Sequence, residues 1–222
     1  MCAMDAVRSG LDHELMRMRE DILRMGSLVE SCISWALGDG NESPRGAVMD
    51  AHRRTTMLRE RIERIGLATL ATQHPTARDL RRVVAALHIA HQLVQITRHC
   101  AAAIEQRSSM PIRHRLCRHI ASMLHGSMDA FVRSDARLAV EVVRRDEVVD
   151  EARAGVVEGI FKIEAAGRSV EERQKIYWIE HHVERIGDCV VNICDRIVFD
   201  VTGRDVRAVL AETRRKSELD AA

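Results

Sequence analysis

The feature that most restricts the fold of this chain is the spacing of its apolar residues, which recur every three or four positions. This spacing is typical of long amphipathic helices. Aromatic residues make up only 3% of the chain, and its three prolines all fall between the apolar stretches. The pattern therefore predicts an all-α protein and disfavours an all-β one. In the first stretch the recurring residues are Leu15, Met18, Ile22, Met25, Val29, Cys32 and Ile33.

Turn and capping residues divide the chain into six predicted helices. Gly167 ends the fifth helix, and Ser169 and Glu172 form a capping-box pattern that begins the sixth. After Gly203 the chain is polar, which we interpret as a tail with a short frayed helix. The approximate bounds are Leu11–Leu37, Arg45–Thr72, Thr76–Arg107, the Ser108–Pro111 turn to about Val132, Ala136–Ala166, and Ser169 to the Gly203 turn.

The last three predicted helices repeat the pattern of the first three. The repeat is clearest when Leu87–Gln106 is aligned with Tyr177–Arg196 at an offset of 90 residues. We therefore predict two tandem antiparallel three-helix bundles, at residues 1–108 and 109–203, followed by a polar tail at 204–222. The matched pairs are Ile89 with Ile179, His91 with His181, and Ile96 with Ile186.

Composition excludes several classes of function. The 34 basic and 33 acidic residues leave a formal charge of +1, so no overall basic surface for nucleic acid is expected. The sequence contains no run of about eighteen apolar residues, the length that a membrane span requires. The first residues lack the apolar core of a signal peptide, and the six cysteines include no Cys-x-x-Cys pair. We therefore expect a cytoplasmic protein that does not insert into the membrane.

Acidic residues lie on one face of the predicted sixth helix. Glu184 and Asp188 are one helical turn apart, and Asn192 and Asp195 continue the same stripe. The apolar residues of this helix fall on nearly the opposite face, so the stripe is predicted to point away from the core of its bundle. Like charges at this spacing destabilise a helix by roughly 0.2–0.5 kcal/mol unless a cation or an arginine offsets them.

A second acidic pair with the same spacing lies in the predicted fifth helix. Because the fifth and sixth helices are expected to be antiparallel neighbours, Asp146 and Asp150 could converge with Glu184 and Asp188. Clusters of carboxylate oxygens suit cations such as Mg²⁺, Mn²⁺ or iron. The spacing alone favours the alternative of solvated acidic faces, with nearby arginines as partners. Those arginines are Arg144, Arg145 and Arg185.

Several short motifs resemble those of the PhoU family of phosphate-signalling regulators. The motif "ERIGD" at Glu184–Asp188 is followed by Asn192 and Ile193, and the helix ends with Thr202–Gly203. The stretch Gln73–Ala90 and the motif "DEVVD" at Asp146–Asp150 also resemble segments of that family, although His74 departs from its usual Gln-Pro. The resemblance extends from about Glu14 to Gly203.

The resemblance implies two three-helix bundles, each with a metal cluster held by paired carboxylates. The second repeat retains the corresponding residues, which are Asp146, Asp150, Glu184 and Asp188. The first repeat has Val94 and Arg98 where the family has its Glu and Asp, and His52 and Thr56 where it has its Asp pair. Valine has no donor atom and arginine repels cations. We therefore expect one site, in the C-terminal repeat, for iron, Mn or Mg.

Histidines offer a different ligand chemistry. His52, His91 and His99 could form a nitrogen-rich replacement in the first repeat, and His181 and His182 flank the second site. A single histidine on a helix is more often a surface or core residue than a ligand. The methionines fall mostly at helical spacing and are interpreted as core residues.

Three classes of function agree with these observations to different degrees. The resemblance implies a non-enzymatic, homodimeric regulator that binds a phosphate-transport ATPase and a membrane sensor histidine kinase, and that represses phosphate uptake. A carboxylate-bridged metal oxidoreductase would need Glu-x-x-His motifs facing the bundle interior, and the sequence has none. A metal-free helical adaptor with solvated acidic faces is the third class. No Gly-rich phosphate loop, His-Glu-x-x-His motif or nucleophile elbow is present.

Overall fold

The structure, a computed structural model, describes residues 3–37, 45–105, 112–145, 167 and 169–212. All regular secondary structure within these residues is helical, which confirms the predicted all-α class. The helices are α1 (Ala3–Leu37), α2 (Arg45–Gln73), α3 (Ala77–Glu105), α4 (Ile112–Arg133), α5 (described at 136–145), α6 (Val170–Thr202) and α7 (described at 206–212).

Most predicted helix ends agree with the structure to within a few residues. The largest difference is at the start of α1, which begins at Ala3, eight residues before the predicted Leu11. The intervening segment contains Gly10, which weakens a helix locally but does not interrupt this one. The predicted end of the fifth helix, and residues 146–166 as a whole, lie outside the described part of the chain.

The ends of α6 are fixed by local interactions that the sequence predicted. Ser169 Oγ accepts a hydrogen bond from the backbone N–H of Glu172 at 3.2 Å, and Glu172 Oε2 accepts one from the backbone N–H of Ser169 at 3.2 Å. Gly203 adopts the left-handed conformation (φ 74°), and its N–H donates to the carbonyl of Phe199 at 2.8 Å. The capping box and the glycine stop are therefore confirmed.

The two repeats pack against each other through their helices. Helices α1, α2 and α3 contact one another, α4 contacts α6, and α3 packs extensively along α6 while α1 contacts α4. Both members of the aligned pairs Ile89–Ile179 and Ile96–Ile186 are buried in one continuous core. The predicted register of the repeat is therefore the register in which the apolar faces of α3 and α6 are buried.

Other parts of the core agree with the composition. Cys32, Cys100, Cys189 and Cys194 are buried, as expected for cysteines acting as small apolar residues. No helix in the described ranges combines the length and the apolarity that crossing a membrane would require.

Candidate functional site

The acidic face of α6 is exposed as predicted. Glu184, Asp188 and Asn192 are exposed, whereas Val183 and Ile186 on the other side of the helix are buried. Arg185 Nη1 donates to Asp188 Oδ2 at 3.2 Å, so a neighbouring arginine already offsets part of this negative charge. Glu184 and Asp188 thus present two carboxylates one turn apart on an accessible surface.

The other half of the predicted metal set is the pair Asp146 and Asp150. Both lie outside the described residues, so the convergence of four carboxylates stays a prediction. Within the described ranges, no group of three or more His, Cys, Asp or Glu side chains is arranged to hold a metal ion.

Asp195 has a structural role that the helical pattern did not reveal. Its Oδ1 accepts a hydrogen bond from the backbone N–H of Val206 at 2.8 Å, at the start of α7. Its Oδ2 is ion-paired with Arg196, and the carboxylate is only 20% exposed. The interpretation of Asp195 as an outward member of the acidic stripe is therefore wrong. Because α7 folds back onto this turn of α6, the carboxylate caps α7 instead of facing solvent.

The equivalent surface of the first repeat contains a hydrogen-bonded network with no carboxylate. Val94 is buried, and Thr97 Oγ1 lies 2.9 Å from His52 Nδ1 and 3.1 Å from Thr55 Oγ1. Thr56 donates its hydroxyl to the carbonyl of His52 at 2.9 Å. Burial, and secondarily the charge of Arg98, lower the pKa of His52. His52 is thus held between α2 and α3 and does not join the other first-repeat histidines in a metal cluster.

A pair of histidines crosses from one repeat to the other. His99 Nδ1 on α3 lies 3.2 Å from His182 Nδ1 on α6, and the indole of Trp178 stacks on His182 with ring centroids 6.1 Å apart. Burial is the main cause that lowers the pKa of His99 to about 4, with further contributions from His182 and Arg98. Burial also lowers the pKa of His182. Sequence analysis missed this pair, because the alignment of the repeats matches His91, and not His99, with a histidine.

Acid is expected to destabilise the protein through His99. Its pKa is lower in the folded state (about 4) than the ordinary value of 6.5, so the unfolded chain binds more protons between these values. Stability is therefore lost as the pH falls from 6.5 toward 4. Because His99 is only about half buried, we expect its contribution between pH 7 and pH 5 to be about 1 kcal/mol. Urea denaturation of wild type and His99→Gln at both pH values measures this contribution to the free energy of unfolding.

The arginine and histidine neighbours that act on the pKa of His99 stay in place in that comparison. They are His182, Arg98, Arg185 and His181. His125→Gln is the control, since His125 is exposed on α4 beside Glu30. An unchanged pH dependence in His99→Gln would contradict the prediction.

A polar cavity of about 510 Å³ opens between α3 and α6. Arg98 and His99 line it from α3, Arg185 and Asp188 from α6, and Arg207 from α7. The cavity thus lies between Arg98 of the first repeat and Asp188 of the second. In the alignment of the repeats, Arg98 corresponds to Asp188.

Comparison with known proteins identifies the family. The PhoU domain model matches the chain twice, at residues 22–106 and 114–197. The "Phosphate-specific transport system accessory protein PhoU" of Serratia marcescens is 30% identical over 207 residues, covering 87% of this chain and 85% of that protein. The protein of the same name from Escherichia coli K12 is 29% identical over 209 residues, covering 88% and 87%.

Solved structures agree on the fold. The crystal structure of PhoU from Pseudomonas aeruginosa superposes with a TM-score of 0.78 at 23% identity, covering 87% of this chain and 99% of that one. PhoU from Streptococcus pneumoniae gives a TM-score of 0.73 at 22% identity. Two consecutive domain matches, relatives similar over nearly their full length and the same helical architecture lead to one conclusion. The chain belongs to the PhoU domain family.

Proposed function

We propose that this protein is a non-enzymatic accessory regulator of a phosphate-specific transport system. The observation that carries the proposal is the double match to the PhoU domain, together with relatives named as accessory proteins of that system over more than four fifths of the chain. The candidate site is consistent with a regulator, because its described residues present exposed carboxylates on a helix face, without a nucleophile and base in contact beside them.

The proposed partners are the ATPase of the phosphate transporter and a membrane sensor histidine kinase. The proposal includes a cytoplasmic location, where the protein would bind both, and a homodimeric state, which light scattering would test. A pull-down with each partner under phosphate-rich and phosphate-poor conditions tests the function. Capture of either partner supports the regulatory function. If neither partner is captured, that function is contradicted, and a helical adaptor with other partners is favoured.

A carboxylate metal site in the second repeat is part of this proposal. The donor chemistry fits there: Glu184 and Asp188 are exposed, one turn apart, and offer oxygen ligands suited to iron, Mn or Mg. Asp146 and Asp150 would complete the set. The chemistry does not fit in the first repeat, where Val94 offers no donor and Arg98 carries a positive charge. When bound, the cation would supply positive charge that holds the acidic faces of two helices together.

Removing the two described carboxylates is expected to abolish metal binding. We predict that wild-type protein loaded with iron or Mn retains metal after gel filtration, and that Glu184→Ala/Asp188→Ala retains less than about a tenth of it, because two of four ligands are lost. Elemental analysis measures the metal content.

Asp129→Ala is the matched control for that variant. Asp129 is a partly exposed helix carboxylate ion-paired with an arginine of its own helix, Arg133, just as Asp188 is with Arg185. Full metal content in the double variant, or anomalous scattering from a cluster beside Val94 and Arg98, would contradict the single-site prediction.

A further inference from the structure

The cavity between α3 and α6 carries an excess of positive charge. Arg98, Arg185 and Arg207 approach it from three different helices, whereas Asp188 is the one carboxylate among its described lining residues. That carboxylate is engaged by Arg185 at 3.2 Å. Two of the three guanidinium groups are therefore left without a compensating charge inside the cavity.

Arg98 and Arg207 differ in this respect from many arginines of the molecule. Both are exposed, and neither has an ion-pair or hydrogen-bond partner among the residues that the structure describes. Elsewhere, exposed arginines such as Arg53, Arg133 and Arg204 each contact a carboxylate. Two unpaired cations that face one cavity repel each other, and an anion between them would remove that repulsion.

The charge of Arg98 also affects a neighbouring residue of the cavity wall. After burial and the charge of His182, it is one of the causes that lower the pKa of His99 to about 4. The imidazole of His99 is therefore expected to be neutral near pH 7, when it can donate or accept a hydrogen bond without adding charge.

The cavity wall also includes uncharged polar groups. Gln92, Gln95 and Asn192 carry amide groups that can donate to an anion. Guanidinium groups bind phosphate oxygens through paired, charge-assisted hydrogen bonds. The volume of about 510 Å³ leaves room for an inorganic phosphate with its water or for a larger phosphorylated molecule.

We propose that the cavity between α3, α6 and the start of α7 binds a phosphate-class oxyanion, with Arg98 and Arg207 as its principal ligands. This site goes beyond the proposed function, because it requires neither the transport ATPase nor a metal ion. It assigns a role to Arg98, the residue that the first repeat has in place of a carboxylate. The two repeats thus place different ligands at equivalent positions, Arg98 for the anion and Asp188 for the proposed metal ion.

Calorimetric titration tests the proposal with two probes, inorganic phosphate and pyrophosphate, at pH 7.5, constant ionic strength and in the presence of a chelator. We expect saturable binding of at least one probe to the full chain. Arg98→Gln and Arg207→Gln should each weaken that binding at least about tenfold, as loss of a charged hydrogen-bond partner predicts. Arg64→Gln, at an exposed arginine of α2 outside the cavity, should leave it unchanged.

The two probes separate the sources of the oxyanion. Binding of phosphate indicates free phosphate as the ligand, whereas binding of pyrophosphate alone indicates a longer phosphorylated molecule. Absence of saturable binding by either probe would overturn the site, as would wild-type affinity in Arg98→Gln/Arg207→Gln shown by circular dichroism to be folded. Equal weakening in Arg64→Gln would also overturn it, because nonspecific surface charge would then explain the binding.

The test of the anion site and the test of the proposed function can fail independently of each other. Anion binding by a protein that captures neither partner would leave the site intact and contradict only the regulator. Partner capture by a protein that binds neither probe would support the regulatory function and contradict only the anion site. Asp188→Ala provides a further check. Asp188 is the one carboxylate among the described residues of the cavity wall, and its removal should tighten anion binding while it weakens metal binding.

Discussion

Replacing Ile186 by alanine is expected to lower the free energy of unfolding by about 3–4 kcal/mol, the cost typical of deleting three carbons from a closely packed core. Ile186 is fully buried on the face of α6 that belongs to the continuous core. Ile96→Ala, at the equivalent position of α3, removes a side chain that is also fully buried and should cost a similar amount. Urea denaturation followed by circular dichroism measures both changes.

Leu67→Ala is the control for these core substitutions. Leu67 is apolar but 64% exposed on α2, so its truncation should change stability by less than about 0.5 kcal/mol. A loss below about 1 kcal/mol for either isoleucine would contradict the packing of the repeats, since a buried isoleucine cannot be removed that cheaply from a closely packed core.

Much of the fold was predictable because helix signals are local. The recurrence of apolar residues locates the buried faces, and the aligned isoleucines of α3 and α6 are buried in the predicted register. Ser169, Glu172 and Gly203 act on the backbone within one turn, so their sequence spacing alone predicts where α6 begins and ends. The start of α1 is less well predicted, because Gly10 weakens a helix pattern that Met4 and Val7 continue ahead of Leu11 at spacings of three and four residues.

The candidate site was less predictable because it depends on contacts between distant segments. The exposure of Glu184 and Asp188 follows from their position opposite the apolar face. By contrast, the cap that Asp195 provides for α7, and the contact of His99 with His182, depend on how separate helices meet. Helical spacing cannot reveal either contact. The cavity is a further example, since its three arginines are far apart in the sequence.

A buried carboxylate of the first repeat leads to the second large prediction. Asp21 on α1 is buried, with its side chain only 1% exposed. Its Oδ1 accepts a hydrogen bond from Arg24 Nη1 at 3.1 Å, and its Oδ2 lies 3.1 Å from Arg61 Nε on α2. The contact with Arg61 does not form a hydrogen bond, so its contribution is Coulombic. Arg61 is thus the only residue from another described helix that offsets this buried charge.

Arg61→Met is expected to cost about 2–3 kcal/mol of stability. The methionine retains most of the apolar stem but leaves a buried carboxylate with Arg24 alone, and removing one partner of a buried ion pair typically costs about 3–5 kcal/mol. The lower figure applies because Arg61 is 40% exposed and solvent already screens part of the interaction. Urea denaturation at pH 7 and low salt measures the change.

A double-mutant cycle separates the charge from the packing. Asp21→Asn removes the buried charge, so adding Arg61→Met to it should cost less than about 1 kcal/mol, and the coupling energy should account for most of the single-variant loss. Arg53→Met is the control, because Arg53 also lies on α2 but pairs with Asp50, whose side chain is 45% exposed. Arg53→Met should lower the free energy of unfolding by at most about 0.5 kcal/mol, as expected for a surface ion pair. If Arg61→Met cost no more than Arg53→Met, the contact between α1 and α2 would depend on apolar packing alone, and the charge of Asp21 would be satisfied by Arg24.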